Sequence, residues 1–192
     1  MAASIEGPRL RSRHVELQPV SPQHYEMLYR LHAQDEIGFR WRFRGETPSP
    51  DRFIATLWEG VLAQFVVSQN KTNTGVGLVT TYGVNLRDQY AHIAFVTSPE
   101  YVGTGLTLEG LALFVDYLFR LWPLRKLYAE AVEYNYSQFS RGSNRYFKRE
   151  GILRDQLHYA ARYWDVHVLA LYRRDWERIR PLMYRTLLDD RG

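Results

Sequence analysis

The 192-residue chain is 45% hydrophobic and 15% aromatic, enough to bury one core, and none of its apolar runs approaches the roughly 20 residues that cross a bilayer. It has no cysteine, which excludes disulfides, thiolate metal sites and a cysteine nucleophile. Its start lacks the charged-then-apolar layout of a signal peptide, so cytoplasmic residence is expected. A formal charge of +4, with arginine far outnumbering lysine, suits a polyphosphate ligand or an acidic partner; no membrane and no specific nucleic-acid partner is expected.

A tail over residues 1–12 leads to His14–Val20, which alternates as a strand. Ser21-Pro22 pairs an N-cap with proline at the first helical position and opens a helix through Tyr25, Leu28 and Tyr29. Ser49-Pro50 repeats the device before Phe53, Ile54, Leu57, Trp58 and Val61. Between these helices lies the aromatic and basic run Phe39-Arg40-Trp41-Arg42-Phe43-Arg44-Gly45. Gln64–Ser68 and Gly77–Val84 form a hairpin around a polar turn, and Gln89–Thr97 adds a third meander strand. Leu108, Leu111, Ala112, Val115, Leu118, Phe119 and Trp122 then fall on one helical face, which stops at Pro123. Lys126–Val132 reads as a strand, and a polar helical stretch runs from about Ser137 to Arg149. Strands near Ile152–Tyr159 and Trp164–Tyr172 follow, with a closing helix and tail over 175–192. The order is β-α-α-β-β-β-α-β-α-β-β, a single α/β domain over 1–192 with helices on both faces of a mixed sheet.

The turn from Ser98 to Thr107 carries the clearest chemical signal. Gly103 and Gly105 let the backbone bend where strand becomes helix, and the amides there make a cradle for an anion. A nucleotide-triphosphate loop would continue Gly-Lys-Ser/Thr, and here Leu106-Thr107 follows. A dinucleotide fingerprint would need a small residue at Leu108.

That element order, with its glycine turn after the fourth strand, resembles the GNAT superfamily of acyl-CoA N-acetyltransferases. Ser98-Pro-Glu-Tyr-Val-Gly-Thr-Gly-Leu106 looks like its coenzyme A loop, and Asn135 stands just after the fifth strand, where relatives commonly carry asparagine. Glu150-Gly-Ile-Leu-Arg154, Tyr163-Trp-Asp-Val166 and Arg174-Asp-Trp176 are similar to segments of the branch that acetylates ribosomal-protein alanines. The resemblance covers roughly residues 13–178. It implies a mostly antiparallel, twisted sheet of about seven strands, acetyl-CoA or another acyl-CoA as donor, and no metal. The chain departs from the pattern at Val102, where the loop usually has arginine or glutamine, and at Gly142, where relatives often have a tyrosine acid.

The resemblance places the oxyanion donor and the pantetheine arm along Phe95, Val96 and Thr97. It places the pyrophosphate over Val102, Gly103, Thr104, Gly105, Leu106 and Thr107, with Asn135 also in the cofactor set. Acyl transfer to an amine needs a base, and His92, a strand histidine that titrates near neutrality, is the candidate. Tyr136, with Tyr134 and Ser137 behind it, is the candidate acid. Arg40, Trp41 and Arg42 are candidates for holding the acceptor, through arginine forks and stacking. His158, His167 and Asp165 read as structural. The expected partners are a small-molecule or peptide amine, with an acyl-carrier protein as alternative donor and a homodimer left open. A catalytically silent acyl-thioester-binding domain and a nucleic-acid binder built on Arg40–Arg44 are the competing classes. Lack of turnover would mark the first, and steep salt dependence the second.

Overall fold

The computed structural model describes residues 10–136 and 146–188. Seven strands form one sheet: β1 (Val15–Pro19), β2 (Val61–Gln69), β3 (Gly75–Asn85), β4 (Tyr90–Thr97), β5 (Lys126–Val132), β6 (Lys148–Tyr159) and β7 (Arg162–Tyr172). Their order is β1-β2-β3-β4-β5-β7-β6. Every neighbouring pair is antiparallel except β4 and β5. A parallel pair needs a crossover, and the helix after β4 supplies it. The helices are α1 (Tyr25–His32), α2 (Asp35–Gly38), α3 (Pro50–Thr56), α4 (Leu106–Leu121) and α5 (Arg173–Met183). This is the mostly antiparallel seven-stranded sheet, covered on both faces, that the sequence predicts.

The two faces bury separate cores. On one, Leu111, Phe114, Val115 and Leu118 of α4 pack against Val15, Phe65, Val79, Ile93, Leu127 and Leu169. Each such side chain contributes about 1.5–3 kcal/mol on burial. Asp116, 1% exposed on α4, receives the indole of Trp176 at 3.3 Å and the hydroxyl of Tyr184 at 2.5 Å. The guanidinium groups of Arg120 and Arg180 neutralise it at 3.0 and 2.8 Å, which docks α5 onto α4. Burial, then the neighbouring Asp116, pushes the Tyr184 hydroxyl up to about 12. On the opposite face Leu28, Leu31, Ile37, Trp41, Phe53 and Leu57 pack on Val66, Leu78 and Val96.

Several local expectations shift. The helix opened by Ser49, whose side chain accepts from the Arg52 amide, ends at Thr56. Gly60 turns the chain at φ +67° and Val61 begins β2, so Trp58, expected on the helix's apolar face, is 47% exposed. Of the polar stretch read as a helix from Ser137 to Arg149, residues 137–145 lie outside the described residues. Lys148 and Arg149 are strand, paired with Ala170 and Leu169 of β7: sheet pairing outweighs their helical propensity. Residues 133–136 form a helical turn. Ser12, placed with the tail, is buried and bonds the Val15 carbonyl and Glu109. None of the described helices is long and apolar enough to cross a membrane.

Candidate active site

β4 and β5 stay together for three residue pairs only, Tyr90/Lys126, Ala91/Leu127 and His92/Tyr128. Beyond His92 they part, because β5 continues in register with β7 as far as Val132/Val166. The carbonyl of Gln89 accepts from the amides of Arg125 and Lys126. Strand alternation therefore turns the main-chain groups of Ile93, Phe95 and Thr97 toward the opening as well.

The cleft runs into the glycine turn. Pro99–Tyr101 make one 3-10 turn, and Gly103 and Gly105 follow at φ +84° and +81°. Nothing lies within 4 Å of the place a Cβ would take on either. The first intrahelical bond of α4 runs from Glu109 to the Gly105 carbonyl, so the amides of Leu106, Thr107 and Leu108 have no acceptor in their own helix. The Leu106 amide donates to the Thr104 hydroxyl at 3.4 Å, which leaves the Thr107 and Leu108 amides and the positive end of the helix dipole at the expected anion cradle. The side chain of Thr107 is buried and points to the Val76 carbonyl, leaving only its main chain to the cradle. Val102 and Leu108 are apolar and more than half exposed beside it. Glu109 faces away from the cradle, accepting from Ser12 at 2.6 Å and from the amide and imidazole of His14 at 3.1 and 3.0 Å.

Residues 14–140 match the family model described as an acetyltransferase (GNAT) domain. The chain belongs to the GNAT acetyltransferase family. No curated protein sequence matches it. Among solved structures, spermidine N-acetyltransferase of Vibrio cholerae in complex with CoA and spermine is 20% identical, with TM-score 0.74 over 85% of this chain and 98% of that one. Mutant forms of the spermidine/spermine N-acetyltransferase of the same organism superpose at TM-score 0.75, with 19% identity over 86% and 98% of the two chains. Both share the GNAT fold with this chain.

His92, the last residue of β4 paired with β5, lies on the sheet face covered by α1–α3. Its ring is 5.3 Å from Tyr128 and 5.5 Å from Tyr82, with Tyr90 edge-on at 6.2 Å. The ring fits because Gly83 sits in a bulge of β3 at φ +55°, where a Cβ would approach His92 to 3.2 Å. Burial pushes the imidazole below its ordinary value, and Glu130 partly opposes this. Burial, then Glu130, pushes the Tyr82 hydroxyl up, while Arg44 pulls it down.

The segment between α2 and α3 overhangs this face. Trp41 is buried in the second core beside Phe53 and His32. Arg42 donates to the Thr56 carbonyl at 2.6 Å. Arg40 and Arg44 are exposed. Arg42 and Arg44 hold φ of +29° and +49°, left-handed geometry that costs about 1–3 kcal/mol per residue. Phe39 stacks on Tyr159 with centroids 3.8 Å apart, bridging this layer to the β6–β7 hairpin. A cavity of about 250 Å³ behind the bridge is lined by Tyr29, His32, Asp35, Phe39, Glu46 and Tyr159, and by nothing from β4 or β5.

Tyr136 lies flat on His167, 3.8 Å between centroids. Tyr134 packs with Phe39, Trp164 and Tyr159, and burial pushes its hydroxyl up. Asn135 is half-buried between them in the 133–136 turn. Ser137 and Gly142 are outside the described residues. Val96 is in the second core, and Phe95 packs against the first. His158 edges Tyr163, and Asp165 accepts from Arg154 and from the Asp155 amide.

Several contacts near the cleft are not evident from local pattern. Glu150 accepts from Lys126 at 2.9 Å, Tyr128 at 3.0 Å and Tyr172, tying β5, β6 and β7 beneath the opening. Burial works against its charge, but Tyr172, Lys126 and Tyr128 hold the carboxyl below its usual range. Tyr82 and Glu130 also escape motif reading. The available signal for Glu130 is a single acid inside the alternating strand Lys126–Val132.

Proposed function

We propose that the protein transfers an acetyl or other acyl group from coenzyme A to the primary amine of a small metabolite or a peptide N-terminus. The observation that carries this reading is the parting of β4 and β5 beyond His92, opening onto the left-handed glycine turn and the α4 N-terminus. The open space over Gly103 and Gly105 and the first-turn amides of α4 fit a pyrophosphate. Residues Val102 to Thr107, with Asn135, would hold the coenzyme, which when bound supplies an activated thioester.

His92 is read as the base: burial keeps its imidazole unprotonated near neutrality, ready to take a proton from the incoming ammonium. Of the strand read as holding the oxyanion donor, the main-chain amides of Ile93, Phe95 and Thr97 are read as donors to the charge that develops on the acyl oxygen, while that of Val96 faces β3. Tyr136 is kept as candidate acid. Tyr134 is its alternative, since a hydroxyl with a raised value stays protonated and able to donate. The spermidine N-acetyltransferase activity named for the fold neighbours supports an amine acceptor. Within the family we place the chain beside the ribosomal-protein-alanine branch, on Glu150-Gly151, Tyr163–Val166 and Arg174–Trp176. The exposure of Val102 and Leu108 favours a second reading, in which a carrier protein delivers the acyl group against that apolar rim.

Thermal unfolding with acetyl-CoA and longer acyl-CoAs tests the donor. A ligand that binds only the native state adds about 2.7 kcal/mol at a hundredfold excess over Kd. The expected result is a rise in Tm and amine-dependent release of free thiol. No shift with any acyl-CoA sinks coenzyme dependence and leaves the carrier-protein donor.

A further inference from the structure

A second cavity, of about 640 Å³, lies where α4 has ended and β5 begins, lined by Gln89, Pro123, Arg125, Tyr172, Arg174 and Glu177 together with Leu124 and Arg173. It sits at the paired end of β4 and β5, beside Tyr90/Lys126, away from the end where the two strands part. The 16 residues of α4 separate it from the glycine turn by about 24 Å.

Three arginines reach this cavity from two stretches of chain, and backbone bonds fix their spacing. The Arg173 amide donates to the Arg125 carbonyl at 2.9 Å, and the Arg125 amide donates to the Gln89 carbonyl at 2.6 Å. The Arg173 guanidinium is committed to structure. It donates to the carbonyls of Leu124 at 2.7 Å, Trp122 at 2.5 Å and Phe119, closing the C-terminal end of α4. None of these acceptors is an anion, so a positive charge stands beside the cavity without a carboxylate partner.

Arg125 and Arg174 are exposed, and among the described residues neither forms an ion pair. The Arg174 guanidinium lies 5.3 Å from the centre of the Tyr172 ring. The other cations around that ring are neutralised, Lys126 by Glu150 at 2.9 Å and Lys148 by Asp175 at 2.8 Å. Three arginines therefore face a single acid, Glu177, across the cavity.

Guanidinium forks match phosphate oxygens, and a phosphate ester's charge of about −1.5 to −2 suits two arginines better than one. A bare phosphate ion would leave most of the cavity unfilled, while Pro123 and the Tyr172 ring offer an apolar wall to an attached organic group. We propose that Arg125 and Arg174 bind the phosphate of a small phosphate monoester in this cavity, at a site separate from that of acyl transfer.

The test is calorimetric titration of the full chain, at one ionic strength, with ribose 5-phosphate, AMP, adenosine, inorganic phosphate and malonate. Both esters should bind with Kd below about 1 mM and about tenfold more tightly than inorganic phosphate or malonate, with adenosine silent. Arg125→Gln and Arg174→Gln should each weaken the esters about tenfold, and Glu177→Gln should strengthen them. All three side chains are exposed, so Tm and the response to acetyl-CoA should stay at wild-type values. Absence of ester binding overturns the proposal, as does malonate or inorganic phosphate binding as tightly as the esters. Ester binding unchanged in the double arginine variant assigns the phosphate to the α4 turn and also overturns it, as does an affinity that does not rise in Glu177→Gln. Failure of acetyl-CoA to bind or react sinks the acyltransferase reading and leaves this site untouched.

Discussion

The two faces of the sheet are built by different rules. On the cradle side, one 16-residue helix with an unbroken apolar stripe lies on the larger core and presents its N-terminus to the cleft. On the acceptor side, helices of 8, 4 and 7 residues are joined by a connector with arginines in left-handed geometry, held by ring packing around Phe53. On the proposed reading, a regular helix suits a part of the donor that every acyl-CoA shares. The irregular connector can change its side chains without disturbing α4, so on the same reading acceptor choice would vary while the cradle stays.

That contrast can be broken first at Phe114, fully buried on α4. Phe114→Ala should cost about 3–5 kcal/mol in urea unfolding. If it costs under about 1 kcal/mol, the claim that α4 is the rigid support fails. On the other face, Arg44→Gly relieves a left-handed residue and should raise stability by up to about 1 kcal/mol. A loss of stability instead would mean that the guanidinium holds the connector in place.

The smallest effect is acid sensitivity. Burial holds His24, His32, His92 and His167 below the ordinary value of about 6.5. The unfolded chain therefore binds protons that the native state refuses. Their stabilisation is complete above pH 6.5 and is lost as pH falls toward the lowered native values. Urea midpoints should drop between pH 7.5 and 5.5, less so in His32→Phe, because His32 stacks inside the acceptor-side core. The lowered carboxyls Glu150, Asp165 and Asp175 act only in a more acid range, so they do not confuse this window.

Much of the fold is legible in sequence because its signals are local. Ser49 caps a helix, Pro123 stops one, and the α4 stripe repeats at helical spacing. Where the signal is ambiguous, tertiary pairing decides. Lys148 and Arg149 read as helical until β7 pairs with them. Ala160 and Ala161 turn the β6–β7 hairpin at φ +52° and +59°, a geometry usually marked by Asn-Gly, so the turn leaves no local trace. Trp41 illustrates the same limit. Its alternation with arginine reads as a binding surface as readily as a core, and the structure buries it.

By itself the sequence determined the order of elements, the glycine turn before α4 and the family these imply, since each rests on contacts within a few residues. Only the tertiary structure decided that β4 and β5 part after His92, that Glu150 ties three strands beneath the opening, and that the rings of Tyr82, His92 and Tyr128 meet there. Those neighbours come from β3, β4 and β5. Their meeting depends on strand register and on which strand β5 keeps as partner, and neither is encoded in any short stretch of chain.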